Sequence, residues 1–143
     1  MDKDLTIDDL LGNFSLFEDW EDKYRYLLEL GEGLDDMPLE DKTEANKVEG
    51  CTSQVWLSYE LKKGDDGLGR LYFKADSDAH IVKGLVAILL TVYNGKRPQD
   101  ILEIDIRDIF KKLGLDENLS PTRRNGFFSM VQKIHETAAA VDW

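Results

Sequence analysis

The sequence has few residues that bind metals or form disulfides. It contains one cysteine, Cys51, and two histidines, His80 and His135. A single thiol cannot form a disulfide within the chain, which agrees with a reducing compartment. These three residues have no recognisable spacing for a structural zinc site, so we expect no bound metal. An iron–sulfur cluster usually takes about four ligands, mostly thiolates, so this chain alone is not expected to be a cluster scaffold.

Motifs of several other protein classes are also missing. The chain has no glycine-rich phosphate-binding loop and no nucleophile elbow, which argues against a nucleotide-dependent enzyme and a serine hydrolase. The longest apolar stretch, residues 81–93, contains Lys83 and is shorter than the roughly 20 residues that cross a bilayer. Residues 1–14 lack the basic start and apolar run of a signal peptide. We therefore expect a cytoplasmic protein.

The charge of the chain is strongly negative. Eighteen Lys and Arg residues against 29 Asp and Glu residues give a formal charge of -11. The resulting field repels phosphate backbones and anionic lipids, so nucleic acid and membrane are not expected partners. It favours a partner with a basic docking face, although acidic proteins are often acidic only for solubility. With 42% hydrophobic residues and three prolines, the chain is expected to fold as a single domain over residues 1–143.

Periodicity predicts both helices and strands. Helical spacing of apolar residues predicts an amphipathic helix over residues 17–28, ended by Gly31 and Gly33. Residues 54–61 and 70–75 alternate and are separated by turn residues, which predicts an antiparallel hairpin. Residues 47–49 are a candidate for a short third strand. Further helices are predicted over residues 79–93, 98–102 and 105–113, and from a Ser120–Pro121 start to the C-terminal region. The predicted fold class is α+β, with a small antiparallel sheet of about three strands covered by helices.

Cys51 is the first candidate for chemistry. It lies at the junction between an irregular stretch and the predicted strand. Gly50 permits a tight turn before it, and Ser53 and Gln54 can form hydrogen bonds with nearby backbone. A lone cysteine is more often a small buried hydrophobic residue than a nucleophile, but a polar turn makes the two interpretations about equal.

A reactive Cys51 needs a group that favours its thiolate, because the unperturbed pKa of a thiol is about 8.5. Arg123 and Arg124 follow Ser120 at the positive end of the last predicted helix and are candidates. The alternative is that both arginines are ordinary solvated charges. Asp76 and Asp78 could form an acid–base pair, but two acids before a helix are more often capping residues.

Four separated motifs resemble the SufE family, including its paralogue CsdE. They are WEDKYRYL at residues 20–27, VEGCTSQVW at 48–56, ADSDA with IVKGL at 75–85, and LSPTRRNG at 119–126. The motifs occur in the family's order, and the resemblance runs from about residue 14 to residue 140. The family usually has Gln after the cysteine, where this chain has Thr52.

The resemblance implies a fold like that of the IscU scaffold proteins and a role as sulfur acceptor and activator of a cysteine desulfurase. Cys51 matches the cysteine that carries persulfide sulfur for iron–sulfur cluster assembly, and Arg123 matches an arginine near its loop. Gln54, Asp76 and Asp78 match positions expected to shape the surroundings of the cysteine. Gly50 and Ser53 complete the set of expected supporting residues.

The same resemblance implies which partners and cofactors to expect. The partner is a desulfurase of the SufS or CsdA type, which carries pyridoxal phosphate, while this chain needs no cofactor and is not an enzyme by itself. A cluster scaffold or another acceptor takes the sulfur onward, and a homodimer is left open. Two alternatives are a regulatory binding module with a structural Cys51, and a redox enzyme that uses Cys51 against peroxides.

Overall fold

The helices and strands of the computed structural model follow the predicted order. The structure describes residues 6–34, 37–48 and 54–141. Its elements are α1 (Ile7–Ser15), α2 (Trp20–Glu32), a 3₁₀ turn (Leu39–Asp41), β1 (Val55–Lys63), β2 (Gly69–Ser77), α3 (His80–Tyr93), α4 (Pro98–Glu103), α5 (Ile106–Lys112) and α6 (Pro121–Ala140). The predicted α+β class is therefore confirmed.

The sheet is an antiparallel hairpin. Leu57 of β1 lies opposite Ala75 of β2, and Leu61 lies opposite Leu71. In this register one face of the hairpin carries alternating apolar residues toward the helices, as the sequence pattern predicts. Helix α3 packs against β2 on that face, and it also packs against α2.

The prediction of about three strands is wrong, because the described part of the chain contains two. Lys47 forms only a single bridge with Trp56. The chain is still in a turn at this point, since the Lys47 N–H donates to the Glu44 carbonyl at 3.3 Å. Glu49, the last residue of the predicted third strand, lies outside the described residues, and the described part of that strand amounts to this single bridge.

Helix α3 forms the centre of the hydrophobic core. Its buried residues point in nearly every direction around the helix, as the sequence predicts: Ile81, Val82, Gly84, Leu85, Val86, Ala87, Ile88, Leu89, Leu90, Val92 and Tyr93. Helix α2 ends at its C-cap Gly33, but Gly31 lies within the helix and is buried, so the prediction that Gly31 ends it is wrong.

Helix α1 lies in a stretch where the sequence analysis predicted no helix. The Asp9 N–H donates to the Thr6 side chain at 3.2 Å, and the Thr6 N–H donates to the Asp9 carboxylate at 3.0 Å. This reciprocal capping box starts the helix, and Leu10 and Phe14 then enter the core. The sequence did contain a signal for this helix start: Thr6 and Asp9 have the spacing of a capping box and precede apolar residues.

A tyrosine–histidine pair joins α3 to α6. The Tyr93 hydroxyl lies 3.0 Å from His135 Nε2. Burial raises the pKa of Tyr93, so its hydroxyl stays protonated, and burial lowers the pKa of His135 below its ordinary 6.5. The native state therefore favours the neutral form of His135 more strongly than the unfolded chain does.

We expect the protein to lose stability as the pH falls below about 6.5, because the unfolded chain then binds a proton at His135 more readily than the native state. A His135→Gln variant keeps a hydrogen-bonding group for Tyr93 but does not titrate. Urea unfolding between about pH 7 and pH 5.5, above the usual range of carboxyl groups, should give a smaller decrease for this variant. Equal decreases in the two proteins would show that His135 does not cause the effect.

Candidate functional site

The segment that contains Cys51 is anchored at both of its ends. Residues 49–53, including Gly50, Cys51 and Ser53, lie outside the described residues. The described residue before them, Val48, donates its N–H to the Val55 carbonyl at 2.8 Å. Val48, just before the cysteine segment, therefore lies beside Val55, the first residue of β1.

Gln54 and Asp78 hold the chain where it re-enters the sheet. The Gln54 N–H donates to Asp78 Oδ1 at 3.1 Å, and the Asp78 N–H donates to the Gln54 carbonyl at 3.2 Å. Both side chains belong to exposed residues. The structure thus brings together two of the residues that the sequence suggested, in a contact that orients the start of β1.

Asp76 is a buried carboxylate with two lysine partners. Its residue is only 3% exposed, and its Oδ1 accepts the Ser77 N–H at 2.8 Å. Lys42 Nζ lies 3.2 Å from Oδ2, and Lys83 Nζ lies 3.5 Å from Oδ1. Burial alone would raise the pKa of Asp76, but the Ser77 N–H and the two ammonium groups outweigh it, so the pKa lies below its ordinary value.

The interpretation of Asp76 and Asp78 as capping residues of α3 is wrong. Asp76 lies in β2, and α3 begins at His80 with Ala79 as an N-cap that has no side-chain hydrogen bond. The strand continues further than the sequence pattern suggests, because Asp76 pairs with Trp56 and Ser77 with Val55. Ion pairs with Lys42 and Lys83 compensate the burial of the Asp76 carboxylate at this position. Asp78 uses its carboxylate to bind Gln54 and not the first turn of the helix.

Lysine side chains secure the segment before Cys51. Lys133 Nζ of α6 lies 3.3 Å from the carbonyl oxygens of both Ala45 and Lys47. Lys42 lies over the Trp56 ring, 5.2 Å from its centroid. Sequence reasoning missed these contacts, because each joins residues that are well separated along the chain.

Arg123 lies in the first turn of α6. Its N–H donates to the Ser120 side chain at 3.3 Å, which confirms the predicted start of this helix. The Arg123 side chain is exposed and has no hydrogen-bond or ion-pair partner within residues 6–34, 37–48 and 54–141. Arg124 instead binds the Asp116 carbonyl and forms an ion pair with its carboxylate at 3.8 Å. A role for Arg123 beside the thiol stays a prediction.

Two kinds of feature are missing from the part of the chain that the structure covers. It contains no cluster of three or more His, Cys, Asp or Glu side chains that could hold a metal ion. None of its helices has the length and apolar character needed to cross a membrane.

Known proteins resemble this chain along nearly its whole length. A family model for SufE, described as an Fe-S metabolism associated domain, matches residues 8–138. An uncharacterised SufE-like protein of Rhizobium meliloti (strain 1021) is 47% identical over 134 residues, which are 93% of this chain and 94% of that protein. An uncharacterised SufE-like protein of Rhizobium etli is 48% identical over 133 residues, 93% of this chain and 89% of that protein.

A solved structure supports the fold. The solution structure of a hypothetical protein from Thermus thermophilus matches with a TM-score of 0.70 over 93% of each chain, at 22% sequence identity. This likeness concerns the fold alone. The family model and the two relatives together show that this chain belongs to the SufE family, whose domain is associated with iron–sulfur metabolism.

Proposed function

We propose that this chain accepts sulfur from a cysteine desulfurase, carries it as a persulfide on Cys51 for iron–sulfur cluster assembly, and activates that desulfurase. The observation that supports this most is the anchoring around Cys51, the only thiol of the chain. Val48 is bonded to Val55 before the cysteine segment, and Gln54 is bonded to Asp78 after it. Family membership supports the link with iron–sulfur metabolism.

The proposed transfer is a thiol exchange. The Cys51 thiolate attacks the outer sulfur of a persulfide on the desulfurase. A new S–S bond forms to Cys51, the S–S bond on the desulfurase breaks, and the desulfurase cysteine leaves as a thiolate. Sulfur moves without net oxidation or reduction, so this chain needs no cofactor. The pyridoxal phosphate that releases sulfur from free cysteine belongs to the partner.

A single cysteine suits a carrier. A second thiol beside the persulfide could attack it, form an internal disulfide and release the cargo as sulfide. This chain has no second cysteine to do so. The persulfide can then persist until an iron–sulfur scaffold or another acceptor removes the sulfur.

The anchored ends determine how the segment can respond to a partner. Hydrogen bonds at Val48 and Gln54, together with the Lys133 contacts to Ala45 and Lys47, hold the flanking chain to β1, β2 and α6. The desulfurase would therefore meet a cysteine segment whose two flanking residues are already held in place, so less chain has to be ordered when the two sulfur atoms are brought together.

The test is sulfur loading measured by intact mass. The protein is incubated with a desulfurase of the SufS or CsdA type and free cysteine, then passed through a desalting column. We expect one added sulfur atom on the wild type and none on Cys51→Ser, because a hydroxyl does not exchange with a persulfide. Thermal unfolding should show that the variant remains folded.

Alanine release by the desulfurase separates the proposal from its alternative. A sulfur acceptor should lose its stimulation of alanine release when Cys51 is replaced by serine. A regulatory module with a structural Cys51 should still stimulate. Wild-type protein that gains no sulfur from either type of desulfurase would rule out the carrier role.

A further inference from the structure

The most exposed apolar side chain of the described residues lies in the 3₁₀ turn before the cysteine segment. Leu39 is 84% exposed, and its neighbours Pro38 and Glu40 are exposed as well. A single leucine on the surface is common and does not by itself indicate a binding site. Leu39 differs from such a residue in two respects: its turn is held in place, and it lies beside the chain that leads into Cys51.

The turn is held by hydrogen bonds within its own segment. The Asp41 N–H donates to the Pro38 carbonyl at 2.9 Å, and the Lys42 N–H donates to the Leu39 carbonyl at 3.0 Å. The Asn46 side-chain amide then donates to the Asp41 carbonyl at 2.8 Å. Leu39 is therefore held in an outward position before a partner arrives, so little backbone freedom is lost when its side chain is bound.

The turn is also tied to the end of the sheet from which the cysteine segment leaves. Lys42 Nζ lies 3.2 Å from Asp76 Oδ2 and 5.2 Å from the centroid of the Trp56 ring. Asp76 and Trp56 lie opposite each other in the hairpin. The residue next to Trp56 is Val55, whose carbonyl accepts the N–H of Val48. The turn and the start of the cysteine segment therefore meet at the same end of the hairpin.

Leu39 is close to this end on the scale of a protein interface. The chain from Leu39 to Lys42 spans at most about 11 Å, and the Lys42 side chain reaches the sheet. A standard interface covers about 800 Å² on each partner, which is a patch roughly 30 Å across. A protein that docks over Val48 and Gln54, the residues that flank the cysteine segment, would therefore cover Leu39 as well.

We propose that Leu39 is an anchor for the cysteine desulfurase and that its side chain enters an apolar pocket on that partner. This inference rests on the proposed function, which supplies the protein that covers the turn. Glu40 and Glu44 are exposed on the same segment, so we expect Lys or Arg at the rim of the pocket. Leu39 touches no reacting atom. It sets the affinity of the complex and leaves the chemistry to Cys51.

The test is binding of the desulfurase to the full chain in a Cys51→Ser background, in which no sulfur moves. Titration calorimetry with desulfurases of the SufS and CsdA types gives the dissociation constant. Leu39→Ala removes most of the apolar surface that would be buried and should raise the dissociation constant about tenfold. Leu39→Met keeps an apolar side chain of similar volume and should stay within about threefold of the unsubstituted protein.

Leu16 serves as the matched control because it is also highly exposed, at 76%. It precedes the start of α2, whereas a Cβ on Gly31, near the end of that helix, would lie 3.1 Å from the carbonyl oxygen of His80 at the start of α3. A helix of this length spans about 20 Å, so Leu16 lies far from the cysteine end of the sheet. Leu16→Ala should leave the affinity unchanged. Equal weakening by Leu16→Ala and Leu39→Ala would overturn the anchor.

Alanine release separates the anchor from the chemistry. With Cys51 present, the concentration of Leu39→Ala that gives half-maximal stimulation should rise about tenfold, while the maximal rate stays within about twofold. An unchanged dissociation constant for Leu39→Ala would overturn the anchor, whether or not the maximal rate falls. A wild type that binds the desulfurase but gains no sulfur would contradict the carrier role alone, since binding still decides the role of Leu39. A wild type that binds neither type of desulfurase would overturn both.

Discussion

Replacing Gly84 with alanine is expected to lower the free energy of unfolding by about 3 kcal/mol or more. Helices α2 and α3 cross closely at this residue. A Cβ atom on Gly84 would overlap the carbonyl oxygen of Leu27 and would lie 2.8 Å from its carbonyl carbon. A backbone carbonyl cannot rotate away as a side chain can, so the two helices would have to move apart. The better helix propensity of alanine offsets only about 1 kcal/mol of this cost.

Gly12 provides a matched control, because alanine at this position should change the free energy of unfolding in the opposite direction. It lies within α1, and a Cβ built on it meets no atom within 4 Å. Gly12→Ala should therefore raise the free energy of unfolding by about 0.5 to 1 kcal/mol through helix propensity alone. Urea unfolding of both variants measures the difference. A Gly84→Ala protein as stable as wild type would show that α2 and α3 do not cross this closely.

The same crossing shows where sequence reasoning fails for glycine. The sequence pattern predicts that Gly31 ends its helix, but a Cβ on this residue would lie 2.8 Å from the Gly84 backbone nitrogen. The two glycines allow the helices to approach each other. A glycine that ends a helix and one that permits close packing look alike in sequence, because the neighbouring helix is brought in by tertiary structure.

Local signals, by contrast, were sufficient for much of the fold. Alternation with a turn predicts the hairpin, the apolar run predicts α3, and Ser120 before Pro121 predicts the start of α6. Each of these signals lies within one element or at its boundary. The prediction of a third strand was wrong, because a single bridge and a short strand have similar sequence patterns.

The candidate site was predicted only in part. Gln54 and Asp78 bond each other, but the sequence could not show it because they are 24 positions apart, and family resemblance was the only indication that both mattered. The partners of Asp76 were not foreseen at all. Lys42 comes from the segment before the sheet and Lys83 from the helix after it, so their meeting depends on the complete fold.

Replacing Asp76 with asparagine is expected to destabilise the protein by about 3 kcal/mol at pH 7, because removal of one partner from a buried ion pair leaves the other charges without compensation. The side chains of Lys42 and Lys83 are 27% and 28% exposed, so both ammonium groups reach some water and the loss stays near the lower end of the usual range. The change should also loosen the segment around Lys42.

The stabilisation by Asp76 has a defined pH dependence. Because the native pKa of Asp76 lies below its ordinary value of 3.8, its contribution is complete above about pH 4 to 5 and is lost as the pH falls through the lower native pKa. Urea unfolding should thus show the largest difference between wild type and Asp76→Asn at pH 7, and a smaller one near pH 3. Asp108→Asn, which removes an exposed ion pair with Lys112, should change stability little at either pH. An Asp76→Asn protein that behaves like Asp108→Asn would mean that this carboxylate does not hold the β2 end, the Lys42 segment and α3 together.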